Sequence, residues 1–159
     1  MRIVAWVLIG LVVCFAGLTG YTLYTRELKV KFQQAEVIPA EEREAEFRAL
    51  SDDVANESVR GVVYSAEALG APTDYEFHVY TVEIRNNCFF GAEWVRLEVE
   101  PREGDILLAE KEGAPELPSM SAGLIQATVL ARKDSELPRQ LKLTYFLLGS
   151  SFSIPITAQ

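Results

Sequence analysis

The chain carries a single histidine, His78, and two cysteines, Cys14 and Cys88. In an enzyme, a cysteine beside a histidine makes a thiolate nucleophile, the imidazole drawing the proton from sulfur. Cys14 sits inside an uncharged apolar run, which leaves Cys88 as the thiol in the water-soluble part of the sequence. His78 lies between Phe77 and Val79 in a segment of strong alternation, where it reads as a half-buried sheet residue rather than a general base. No nucleophile pattern accompanies it. A zinc site needs several His or Cys ligands at short spacing, and His78 with Cys88 is too few. The sequence therefore points to no catalytic residue, no metal site and no cofactor, and the chain is read as a non-enzyme.

Acidic residues collect in two stretches, Glu41 to Glu57 and Glu93 to Glu116. Calcium loops place oxygen ligands at spacings such as DxDxDG; neither stretch does so, and both read as solubilising surface. A net charge of −8 argues against nucleic acid, whose phosphates require basic patches. The most distinctive group left is Cys88 in NNCFFG, flanked by Phe89 and Phe90. Exposed, the phenylalanine pair would make an apolar patch for a partner; buried, it would fill core. Cys88, Phe89 and Phe90 form the candidate partner-binding loop. Cys88 itself is read either as a thiol open to intermolecular pairing or as a small buried hydrophobe. Because Cys14 and Cys88 lie in different phases, no internal disulfide is expected. Asn56, Glu57 and Ser58 form a formal glycosylation sequon, a match short enough to arise by chance.

Elements that position this loop begin with an anchor. Residues 3–25 carry no charge, and a helix of that length rises about 34 Å, enough to cross a hydrocarbon core of about 30 Å. Trp6 near one end and Tyr21 and Tyr24 near the other stand where amphipathic rings favour the water interface, with Arg2 and Arg26 bracketing the run. A cleaved signal peptide would have a shorter apolar core and a small-x-small site, but apolar residues continue to Leu23. Residues 1–25 are accordingly read as a single-pass transmembrane anchor in the lipid bilayer. Small residues at Gly10 and Cys14, and at Ala16 and Gly20, have the spacing that lets two such helices pack as a homodimer. Arg26, Lys29 and Lys31 outnumber Arg2 and would hold the following domain in the cytoplasm by the positive-inside rule.

After the anchor, residues 26–57 read as a juxtamembrane stalk. Leu28 to Phe32 fits a strand or a continuation of the helix. Pro39 and the carboxylates Glu41, Glu42, Glu44 and Glu46 mark a helix start, followed by a narrow apolar stripe of Phe47, Leu50 and Val54. From Val59 the period changes to two. Strands are expected at Val59 to Tyr64, Tyr75 to Arg85, Trp94 to Glu100, Asp105 to Ala109 and Leu124 to Ala131, with a closing hairpin of Leu141 to Leu147 and Phe152 to Ile156. Several short strands without crossover helices predict a mainly β fold, an antiparallel immunoglobulin-like β-sandwich over residues 58–159.

From Tyr80 onward the order TVEIRNN, WVRLEVE, SMSAGLIQATVLA and LKLTYFLLGSSFSIPI resembles bacterial immunoglobulin-like modules of the CARDB and FxLYD type. The likeness covers about half the chain and lies in pattern. It implies a displayed adhesive or assembly module without catalysis, and it implies no site residues. Such modules usually stand outside the cell, so the domain is expected to be extracytoplasmic at the cell membrane, against the count of flanking charges. The function expected is a membrane-anchored interaction module binding a protein or envelope component. The alternative is a structural subunit of a larger membrane protein complex.

Overall fold

The computed structural model describes residues 2–24, 28–56, 61–63, 68–102, 104–108, 116–133, 135 and 139–157. Helix α1 is Arg2–Tyr24, and after Arg2 it carries no charged residue. Its Ile3–Tyr21 portion is long and apolar enough to cross a membrane, a property that anchors share with signal sequences. None of that portion is buried against the rest of the chain.

The remainder is mainly β, in two antiparallel sheets. Five strands, β1 (Lys29–Pro39), β2 (Gly61–Val63), β3 (Tyr75–Arg85), β5 (Ile106–Leu108) and β6 (Ala122–Arg132), form one sheet in the order β1-β3-β6-β5-β2. Strands β4 (Glu93–Val99), β7 (Gln140–Leu147) and β8 (Ser150–Thr157) form the other, in the order β4-β7-β8. Of the strand expected over Val59 to Tyr64, residues 61–63 are β2 and the others lie outside the described residues, as do Ala109 and the sequon residues Glu57 and Ser58.

β3 explains the layering. Its sequence YEFHVYTVEIR is rich in aromatic and β-branched residues, which suit a pleated surface, and it lies between β1 and β6 with both faces covered. Tyr80, Val82 and Ile84 point into a core shared with Ile125, Ala127 and Val129 of β6, Val95 and Leu97 of β4, and Leu141, Leu143 and Tyr145 of β7. Side chains from both sheets thus fill one apolar layer, and alternate residues of β4 and β7 turn outward to water.

Tyr75 and Phe77 point the other way. They meet helix α2 (Glu44–Ala55) through Phe47 and Leu50, joined by Ile106 and Leu130. The stripe read from the sequence is the buried one, with Val54 partly covered, and burying a side chain the size of Phe47 or Leu50 stabilises by about 1.5–3 kcal/mol. The Phe47 and Tyr75 rings lie 5.5 Å apart, and the Arg43 guanidinium stands 5.7 Å over the Phe77 ring. A 3-10 turn, Ala40–Arg43, leads into the helix.

Within residues 26–57, the segment Lys29–Pro39 is a strand of the sheet, longer than the strand alternative at Leu28 to Phe32. β1 pairs with β3 along its full length, from Lys29 opposite Arg85 to Pro39 opposite Glu76, with one bulge at Gln33. An edge strand with a wet face needs few apolar residues, so a run such as KFQQAEV carries little sign of its pairing. The Gln33 amide donates to the Glu83 carboxylate across the pair.

Candidate functional site

The loop Asn86 to Gly91 leaves the end of β3 and is built around one side chain. Asn86 is fully buried. Its Nδ2 donates to the Phe90 carbonyl at 2.8 Å and the Pro118 carbonyl at 3.0 Å, and at longer range to the Leu117 carbonyl at 3.3 Å. Its Oδ1 accepts from the Cys88 backbone N–H at 2.8 Å. One amide thus replaces the ladder bonds that end with β3, and it ties the loop to the segment entering β6. That segment returns the tie: Met120 N–H donates to the Cys88 carbonyl at 3.2 Å, and Ala92 and Leu117 form an isolated bridge.

This pinning separates the three candidate residues. Cys88 is turned inward and buried as a member of the intersheet core, and it is a free thiol. Phe89 and Phe90 are turned outward, 52% and 42% exposed. Phe90 lines a shallow open groove with Glu93, Leu117, Pro118 and Leu148 of the β7–β8 turn. The Phe89 ring lies 5.1 Å from the ring of Tyr21 in α1.

His78 is at the other end. From residue 78 to the end of β3 at Arg85, seven residues at ~3.3 Å each put about 23 Å between His78 and the Cys88 loop. The two do not form a nucleophile and base pair. His78 is buried instead among polar partners, its Nε2 2.6 Å from Glu76 Oε1 and its Nδ1 3.4 Å from the Tyr80 hydroxyl.

Close to these groups is an ion pair between residues 34 positions apart. Arg139 and Asp105 are both buried; Arg139 Nη1 donates to Asp105 Oδ2, Nη2 reaches Oδ1 at 3.1 Å, and Nη2 also reaches Ser135 Oγ at 3.1 Å. Arg102 N–H donates to the same carboxylate at 2.9 Å. Arg139 Nε has no hydrogen-bond partner. Burial pushes the Tyr80 phenol above its ordinary value, and the charges of Arg139 and Arg102 oppose that rise only in part. The cluster is enclosed, with its charges satisfied largely by one another, and this is the arrangement of a structural brace.

No protein-family model matches this chain, and no curated protein matches it either. The site is therefore read from its own geometry. Among the described residues no group of three or more His, Cys, Asp or Glu side chains is placed to hold a metal ion. The exposed chemistry of the Asn86 end is apolar contact.

Proposed function

We propose that this chain is a membrane-anchored, non-catalytic interaction module of the cell envelope, with α1 as an uncleaved single-pass anchor and an immunoglobulin-like sandwich as its working domain. The observation that carries the reading is the pairing of a membrane-length helix, none of whose Ile3–Tyr21 window is buried, with a β domain whose outward groups form a rigidly held apolar loop. An apolar helix exposed over 19 residues has no stable place in water. The resemblance to CARDB and FxLYD modules lies in the strand pattern and supports display outside the cytoplasm. On this reading Phe89 and Phe90, with the outer strands β1 and β8 of the two sheets, are the surfaces offered to a partner.

Alkaline carbonate extraction of membranes, combined with protease treatment of whole cells, tests it. The chain is expected to stay in the membrane pellet at full length and to lose its β domain to external protease. Release into the supernatant as a shortened protein would show a cleaved signal and sink the anchor. A structural subunit of a larger complex is the second reading, favoured by the same exposed apolar helix. A large, stoichiometric particle in mild detergent would select it.

A further inference from the structure

Three non-glycine residues among those described have positive φ: Trp94 at 52°, Met120 at 53° and Leu148 at 51°. A side chain in this region costs about 1–2 kcal/mol, which is why glycine and asparagine usually occupy it. Here all three are large apolar residues, and they are 63%, 62% and 65% exposed. Leu148 shows the anomaly best. With Gly149 at φ 75° it forms the two-residue turn between β7 and β8, a position that favours Asn before Gly. Each residue is thus poorly suited both to its backbone and to water.

They also share a place. Met120 sits on the Cys88 loop through its N–H, Leu148 flanks Phe90 in the groove, and Trp94 follows Glu93 at the groove's edge. With Phe89 and Phe90 they make an apolar rim of five side chains at one end of the domain, the end at which α1 joins. Leu28, buried at that end, donates its N–H to the Tyr145 hydroxyl at 3.3 Å. Between Tyr24 and Leu28 the chain can span at most about 14 Å. The Tyr21–Phe89 ring contact brings the rim level with the last residue of the membrane-length stretch.

We propose that this rim is seated in the headgroup layer of the bilayer that α1 crosses, so that the domain stands on the membrane by its Asn86 end. The inference rests on the anchor reading and names lipid as the partner of the loop that reading offers. Aromatic rings favour the interface, where the ring is desolvated and its polar edge stays wet. The short tether keeps the rim at high effective concentration beside the lipid, so a small patch suffices. Lys29 and Arg85, paired at the same end, are exposed at phosphate level. Among the described residues, Glu93 and Glu116 are the acidic groups lining the groove, and they belong on the rim's watery margin.

The chain has two tryptophans, Trp6 in α1 and Trp94 in the rim, so each is isolated by one substitution. The full chain is reconstituted into phosphatidylcholine vesicles, with and without lipids brominated close to the carbonyl. Trp6→Phe reports on the rim and Trp94→Phe on the anchor. Quenching of both, with Trp94 emission shifted to shorter wavelength than in water, is expected, and Leu148→Asn in the Trp6→Phe background is expected to weaken the Trp94 quenching. Quenching of Trp6 with water-like, unquenched Trp94 would overturn the proposal and leave the anchor standing. Blue-shifted but unquenched Trp94 would mean that protein, such as a second copy, covers the rim, and would also overturn it. If neither is quenched and the protein does not float with the vesicles, the anchor reading fails and the rim proposal falls with it.

Discussion

The two ends of the β domain, about 33 Å apart from Tyr75 to Arg85 of β3 at ~3.3 Å per step, depart from the ordinary distribution of polarity in opposite directions. At the Asn86 end, apolar side chains face outward while a buried amide holds the backbone from inside. At the His78 end, charges face inward and apolar groups of α2 cover the neighbouring surface. A buried ion pair adds little net stability over an apolar substitute, yet it leaves a large penalty when one partner is removed. A strained apolar turn does the reverse, weakening the fold while offering surface to something else. The His78 end therefore reads as the brace, and the Asn86 end is the part that the proposal seats on the membrane.

The largest effect should come from breaking the brace. Asp105→Ala leaves the Arg139 guanidinium buried without its counter-charge and should cost about 3–5 kcal/mol in a denaturant titration. Replacing both, as Asp105→Leu with Arg139→Met, should recover most of that loss if the pair is only a brace. Next comes Asn86→Ala, which orphans the Cys88 N–H and the carbonyls it had held; about 1–3 kcal/mol is expected. Its signature is faster reaction of Cys88 with a thiol reagent at low denaturant, because the loop opens before the domain unfolds.

Smaller and of opposite sign is Leu148→Asn. It should stabilise the domain by about 1 kcal/mol by relieving the left-handed strain, a gain that breaks the comparison if it comes out as a loss. The smallest effect is a slope. Tyr80 has a raised pKa in the folded state, so the unfolded chain releases its proton first as pH rises. The stability due to this burial is complete below the ordinary tyrosine value near 10 and is lost as pH climbs through the higher folded value. Tyr80→Phe should flatten that alkaline decline in thermal melts.

Period-two alternation located β3, β4, β6 and the β7–β8 hairpin because each has one or both faces in core, and burial leaves its mark on every second residue. β1 is legible only in part, at Leu28 to Phe32, where a strand and a continued helix both fit, for the converse reason. Gln34 and Glu36 on a sheet edge pair with β3 without apolar side chains of their own. Phe89 and Phe90 were legible as a candidate patch, but the split between a buried Cys88 and exposed rings depends on Asn86 bonding to residues more than 30 positions away. Trp94, Met120 and Leu148 carried a signal only at Leu148-Gly149, where a turn that favours Asn-Gly holds leucine. Asp105 and Arg139 sit in separate loops and have no spacing that foretells their meeting.

Nuclear magnetic resonance of the full chain in lipid nanodiscs carrying gadolinium-labelled headgroups tests most directly which end meets the membrane. Amide signals of Phe89, Trp94, Met120 and Leu148 are expected to broaden strongly, while those of His78, Lys133 and Arg139 stay sharp. Equal broadening at both ends, or sharp signals from the Asn86 end, would contradict the account.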